Sequence, residues 1–247
     1  MTDLHTHILP GMDDGARSAE ESIALLRAQR SQGVRRVALT PHFYPRREGV
    51  EDFLCRREKA WSRLQRALDS LGEERGTLPE LTLGAEVAWQ PGSGRWEDLE
   101  KLRIGESGPV LMELPFQPWS GGLLRELYDL ICRSEAPVAL AHLDRYLGEQ
   151  KKSAIQEIYA MGVPIQLGAD RLLRFWGRRE ILKLLEQEFP FFLASDCHRT
   201  DTRPPCLAQG VQAVAKALGQ DAANTLLARS DALFSPVNVK GEQYASK

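Results

Sequence analysis

The sequence predicts a single α/β domain in which parallel strands close into a barrel of seven βα units. Three observations point that way. Short β-rich runs alternate with longer helical ones along the whole chain, several strand runs are apolar without interruption, and no linker or low-complexity stretch divides the 247 residues. Continuous apolar runs suit parallel strands covered on both faces, and α/β barrels commonly reach this length as one unit. An open doubly wound sheet is the competing arrangement. No Gly-x-Gly-x-x-Gly opens the first βα turn, which counts against a dinucleotide-binding fold.

The expected strands are TDLHTHI (2–8), VRRVALT (34–40), LTLGAEV (81–87), PVLMEL (109–114), PVALAHL (137–143), VPIQLG (163–168) and PFFLAS (190–195). Between the first two, Ser18-Ala-Glu-Glu21 reads as a capping box, with Ile23, Leu26 and Arg30 marking the following turns and Gly33 a stop. Helical patterns follow over 50–71, 120–135, 149–161, 178–188 and 205–218, and Pro109, Pro137, Gly162, Pro164 and Pro190 punctuate the joints. One domain is expected over 1–236, with 237–247 a loosely held tail.

Composition narrows the function classes. With 43% hydrophobic residues the chain can build a sizeable core, and 32 Lys+Arg against 34 Asp+Glu leave a net charge of -2. No global basic field points to nucleic acid. No apolar run approaches the roughly 18 residues of a membrane span, and the start, interrupted by Asp3 and His5 with no basic stretch before them, is not that of a signal peptide. Cys55, Cys132, Cys197 and Cys206 form no CxxC pair and no disulfide-like spacing, so reduced thiols in a cytoplasmic protein are expected.

The histidines carry the chemistry. His5, His7, His42, His142 and His198 each fall at or just past the end of an expected strand, the face on which barrel active sites are built. His5 and His7, two apart on one strand, point to one side. Asp14, Glu86, Glu113 and Asp196 occupy equivalent places, and Asp196-Cys-His198 repeats the spacing of His5-Thr-His7. Any one of these residues alone reads as a core histidine or a solvated carboxylate, and Asp13-Asp14-Gly15 as a turn. Their shared edge does not. Nitrogen and oxygen donors gathered in this way suit zinc, manganese or iron, and the absence of thiolate pairs argues against a structural zinc site.

In chain order, DLHTHILPGMDDGA, TPHFYP, LGAEV, LMELP, LAHLDRY and ASDCHRTDTRPP resemble the polymerase-and-histidinol-phosphatase (PHP) superfamily. The resemblance is closest to its bacterial tyrosine-phosphatase branch, associated with capsule and exopolysaccharide synthesis. It implies a distorted seven-stranded (β/α) barrel and up to three divalent ions, with manganese expected and iron, zinc or magnesium possible. Carried over by position, His5, His7, Glu86 and Asp196 hold one metal. Glu86 bridges to a second, completed by Glu113 and His142, and Asp14, His42 and His198 hold the third. Asp13 is the less suited of its pair.

The resemblance further implies phosphotyrosine hydrolysis by a metal-activated hydroxide without a phosphoenzyme. Three dications and four carboxylates leave the site about +2, which suits a phosphate dianion. A phenol leaving group of pKa about 10 needs little acid assistance; His42 or a water is the candidate donor. Arg145 and Arg203 match family positions for binding phosphate, a role guanidinium geometry suits, with Arg199 a weaker candidate. Phe43, Tyr44 and Pro45 are expected either to wall an aromatic pocket or to pack as an ordinary loop. The expected substrate is the tyrosine-rich tail of a bacterial tyrosine kinase.

One motif misleads. Cys197-HRTDT-Arg203 has the C-x5-R spacing of cysteine-dependent tyrosine phosphatases, but its loop contains no glycine and Cys197 is expected to point away from Asp196 and His198. The rival functions are a histidinol-phosphate type of small-molecule phosphatase, a PHP exonuclease, for which a near-neutral chain offers little support, and a non-catalytic partner of the polysaccharide machinery.

Overall fold

The computed structural model describes residues 1–92, 98–187 and 189–234. The expected tail at 237–247 lies outside the described residues. Each of the seven expected strand regions contains a strand, but the region 81–87 is split in two and a further short strand lies just beyond the region 34–40. The strands are β1 (Thr2–Asp3), β2 (Arg36–Leu39), β3 (His42–Phe43), β4 (Glu80–Leu83), β5 (Glu86–Ala88), β6 (Val110–Glu113), β7 (Val138–Leu140), β8 (Ile165–Gly168) and β9 (Phe191–Ala194). The helices are α1 (Ala19–Ser31), α2 (Val50–Asp69), α3 (Gly121–Arg133), α4 (Lys152–Ala160), α5 (Phe175–Leu185), α6 (Leu207–Leu218) and α7 (Gln220–Leu233).

Every ladder is parallel. The strands form one sheet of order β1-β2-β4 and another of order β3-β5-β6-β7-β8-β9, and no sheet closes on itself among the described residues. The class is therefore α/β in one domain, built as two parallel sheets rather than one hydrogen-bonded ring. The sheets divide where the chain passes Pro41, which has no N–H to donate, and Gly84, whose missing side chain lets Ile104 and Thr40 crowd in; a Cβ there would lie 2.9 Å from Ile104 Cγ1. The chain stays bonded across the divide: Thr40 N–H donates to Thr6 C=O (2.9 Å) and Glu86 N–H to Pro41 C=O (3.0 Å).

Alternation along the strands sorts the side chains onto two faces. Val37 and Leu39, Val110 and Met112, Val138 and Leu140, and Phe191 and Leu193 pack in the large core beneath the helices. Leu4, Ala38, Leu111, Ala139, Phe192 and Ala194 form a smaller cluster on the opposite face, closed by Ile104 and Phe234.

The helices follow the expected patterns with adjusted ends. Ser18 Oγ caps α1 by accepting from Glu21 N–H (3.3 Å), while the Glu21 carboxylate accepts from Arg17 N–H rather than from Ser18, so the box is displaced by one residue. Helix α5 begins at Phe175, three residues before the expected start. It runs through Gly177, where a Cβ would meet Arg171 C=O at 2.6 Å, so only glycine lets this first turn sit down.

The first and last strands are joined by a buried carboxylate. Asp3 accepts from Ser195 N–H (3.0 Å), Ser195 O–H (2.5 Å) and Gln29 Nε2–H (2.7 Å). Beyond it Thr6 and Cys197 form an isolated parallel bridge, with Asp196 N–H donating to His5 C=O (2.9 Å) and His7 N–H to Cys197 C=O (2.8 Å). Removing the carboxylate strands three buried donors. Asp3→Ala is expected to cost about 3 kcal/mol and to lower Tm by roughly 6–12 °C by calorimetry; a loss under 1 kcal/mol would mean that the seam is held elsewhere.

Candidate metal centre

The strand ends deliver their imidazoles and carboxylates to one pocket. β1 ends its ladder at Asp3, shorter than expected, yet the chain stays extended through His7 and places the His5 and His7 rings 5.1 Å apart. The register of β3 against β5 sets His42 opposite Glu86, and that of β5 against β6 sets Ala88 opposite Glu113. His142 (φ 28°) and Asp196 (φ 51°) follow β7 and β9; among the described residues they are the non-glycine positions in left-handed backbone. Such backbone costs about 1–2 kcal/mol per residue and collects at functional sites, where the surroundings over-determine it.

Three groups of candidate ligand atoms result, each with its atoms within 4.8 Å of one another: His5, His7 and Asp196; His42, Glu86 and Glu113; and His7, Asp14, His42 and His198. His142 Nε2 joins the second group, 2.8 Å from Glu86 Oε1 and 3.6 Å from Glu113 Oε1. Glu86 lies at the centre, with Oε2 3.2 Å from His5 Nε2, 3.3 Å from His7 Nε2 and 2.8 Å from His42 Nδ1. The position-by-position expectation thus meets a tighter arrangement, in which His42 stands with Glu113 as well as with Asp14, and His7 with Asp14 and His198.

Two hydrogen bonds show that the donor set fits a cation. His5 Nδ1 faces Gln166 Oε1 (2.8 Å) and His7 Nδ1 faces Asp13 Oδ2 (2.7 Å). Both acceptors call for a proton on Nδ1, so each ring, when neutral, presents its Nε2 lone pair to a cation; the two Nε2 atoms lie 3.0 Å apart. Asp196 Oδ1 lies 3.4 and 3.3 Å from them, and neither it nor Glu86 Oε2 has a hydrogen-bond donor among the described residues. Imidazole nitrogens and carboxylate oxygens around one point suit a divalent ion, and the Gln166 and Asp13 acceptors behind the rings orient them for it.

The charge density displaces the protonation equilibria of the rings. Burial opposes protonation of His7, but Asp13, Asp196 and Glu86 outweigh it and raise the ring well above its usual value. His198 goes the other way, pulled down to about 4 by burial and by the neighbouring His7 and Arg203. His198 Nδ1 meets the Asp196 backbone carbonyl at 3.0 Å, leaving Nε2 to accept from Arg203 Nη1 (3.0 Å). Arg145 and Arg203 both reach Asp196 Oδ2 with Nη2, their side chains 30% and 38% exposed at the mouth. Arg199 is held elsewhere, by Glu21 and Asp201.

Phe43 corrects one expectation. On β3 it alternates with His42, so its ring turns away from the site into the core and packs on Phe53 at 5.0 Å; it walls no pocket. Tyr44 lies instead against His42 (5.2 Å between ring centres) and lines a groove of about 730 Å³ with Pro45. Cys197 is fully buried, in contact with Gln29 Nε2 at 3.5 Å, and burial next to Asp3 pushes its thiol up, the reverse of an activated nucleophile.

Three positioning residues escaped the sequence reading. Asp13 holds His7 and also accepts from His42 N–H (2.9 Å). Gln166 is the one polar side chain in the apolar run of β8, a signal that could have marked it. Tyr146, fully buried, donates to Leu114 C=O (2.8 Å) and rests 5.6 Å from His142.

Fold and site together define an α/β protein of parallel sheets whose strand ends gather imidazole and carboxylate groups that could hold metal ions. Residues 1–233 match the family described as capsular polysaccharide synthesis, CpsB/CapC, and the chain belongs to that family. It is 30% identical over 238 residues to the tyrosine-protein phosphatase CpsB of Streptococcus pneumoniae, covering 92% of this chain and 94% of that protein. It is 30% identical over 214 residues to the tyrosine-protein phosphatase YwqE of Bacillus subtilis, covering 82% and 79%. A crystal structure from work on YwqE and CpsB, described as unique metal-dependent tyrosine phosphatases, superposes with a TM-score of 0.79 at 24% identity over the whole of both chains, which shows the shared fold.

Because Asp13 fixes the His7 tautomer, Asp13→Ala is expected to weaken manganese binding by about 10–100-fold in calorimetric titration, with circular dichroism unchanged. An unaltered Kd would show that His7 needs no partner.

Proposed function

We propose that this protein is a metal-dependent protein-tyrosine phosphatase acting in capsule or exopolysaccharide synthesis. The observation that carries the reading is the convergence of the three ligand groups around Glu86 in one buried pocket whose mouth holds two arginines. The names of its family relatives agree. The substrate is a phosphotyrosine protein, and the tail of a bacterial tyrosine kinase is the partner we favour. The catalytic domain spans 1–236, and we regard its two sheets as the parts of a distorted seven-unit barrel. No helix among the described residues is long and apolar enough to cross a membrane, and free cysteines at all four positions agree with a reducing, cytoplasmic setting.

In this reading His5, His7, Glu86 and Asp196 hold one ion, Glu86, Glu113 and His142 a second, and Asp14, His42 and His198 a third. Manganese is the expected metal, with iron, zinc or magnesium as alternatives, since hard oxygen and imidazole donors predominate. Divalent ions held there supply the Lewis acidity that activates water near neutral pH and neutralises phosphoryl oxygens.

The remaining work falls to the chain. Arg145 and Arg203 bind the phosphate oxygens and orient the ester, a task for which planar guanidiniums are suited. Gln166 and Asp13 keep His5 and His7 in one tautomer. The phenolate leaves with little help, and any proton it takes comes from His42 or from water.

His42→Ala and Glu113→Ala are each expected to cut turnover of a phosphotyrosine peptide at least about a hundredfold without unfolding the protein; near-normal rates would remove them from the site. Chelation should abolish turnover and added manganese restore it. Cys197→Ser should keep most activity, and near-total loss would revive a cysteine mechanism.

A further inference from the structure

The groove beside the metal centre offers more than a slot for one ring. It runs between the segments that follow β3 and β6 and is walled by Tyr44, Trp89 and Phe116, with Arg46 and Arg47 on its edge. Both walls lead to the site: Tyr44 stacks on His42, and Phe116 packs on Tyr146 (5.1 Å), which rests on His142.

Of the charged residues lining the groove, Arg46 and Arg47 outweigh Glu126. Arg46 and Arg47 are exposed, and neither has an ion-pair partner among the described residues. The nearby carboxylates are engaged: Glu48 binds Arg56 through both oxygens (2.9 and 2.5 Å), and Glu126 accepts from Gly92 N–H (2.9 Å). The Arg47 guanidinium lies over the Tyr44 ring, 4.5 Å from its centre, and so is held in place without a counter-charge. Through Tyr44 it sits within about three residues of extended chain from His42, at roughly 3.3 Å per residue.

We propose that this groove binds the peptide flanking the phosphotyrosine, and that Arg46 and Arg47 make it selective for substrates with Asp or Glu within about three residues of that tyrosine. This rests on the phosphatase reading for its catalytic consequence, but the groove binds without turnover. Aromatic walls take the peptide's apolar surface, and two unpaired guanidiniums meet its carboxylates. Exposed pairs of this kind contribute modestly each, so about tenfold discrimination is the expected scale for two.

The test compares phosphotyrosine peptides flanked by Glu, Ala or Lys on either side, using wild type, Arg46→Ala/Arg47→Ala and Arg46→Glu/Arg47→Glu. The readouts are kcat/KM with manganese and, independently, fluorescence anisotropy of labelled peptides. Wild type is expected to prefer the Glu peptide over the Lys peptide about tenfold, the alanine pair to lose the preference, and the glutamate pair to reverse it. The preference should shrink between 0.05 and 0.5 M salt. Equal treatment of the three peptides by wild type, or a preference that survives in both variants, overturns the proposal. Hydrolysis without preference sinks the groove and leaves the phosphatase reading; acid-selective binding through Arg46 and Arg47 without hydrolysis does the opposite.

Discussion

The buried carboxylate of Asp3 brings the two ends of the fold together. It draws Ser195, 192 positions away, against the first strand, and Gln29 of α1 clamps it from a third side. Everything at the site follows from this seam. His5 and His7 come from the beginning of the chain, Asp196 and His198 from near its end, and only where the segments that follow β1 and β9 run side by side do their side chains share a pocket. A buried carboxylate is expensive unless it is fully hydrogen-bonded, and here three donors meet it. The contact closes a long loop of chain, and that closure carries an entropy cost that the buried hydrogen bonds must offset.

On that frame the site concentrates charge that the chain alone balances only partly. Glu86 faces four imidazoles, Asp196 faces three imidazoles and two guanidiniums, and the Nε2 atoms of His5 and His7 lie 3.0 Å apart. The rise of His7 and the fall of His198 express one tension: a dense set of bases that favours any available positive charge, with burial amplifying each preference. Divalent cations resolve it where single protons cannot, because one ion serves several donors at once. In the proposed phosphatase reading the arginines at the mouth meet an anionic substrate beside the bound ions, and Arg46 and Arg47, without ion-pair partners among the described residues, extend the same polarity along the groove.

The backbone shares the cost of this geometry. His142 and Asp196 sit in left-handed conformation, each separated by one residue from the end of β7 or β9. An unbroken strand would carry their side chains onward in strict alternation; the twist aims them into the pocket. Packing of Tyr146 against His142 and the bond from Asp196 N–H to His5 C=O hold the two residues there.

Much of this was legible in the amino-acid order. Apolar runs of Val, Leu, Ile and Phe mark buried parallel strands whatever surrounds them, and ligand chemistry admits few residue types, so His and Glu at strand ends identify themselves. The aim of Cys197 into the core was also expected, although its cause is the turned backbone at Asp196 and not strand alternation. What the order of residues could not reveal depends on segments that meet only in space. The split at Pro41 and Gly84, the passage of Phe43 into the core, the division of labour between Asp13 and Asp14, and the pairing of Gln166 with His5 are all set by which neighbour arrives at hydrogen-bonding distance. Local pattern determines what each side chain can do; the approach of distant strands decides which partner it does it with.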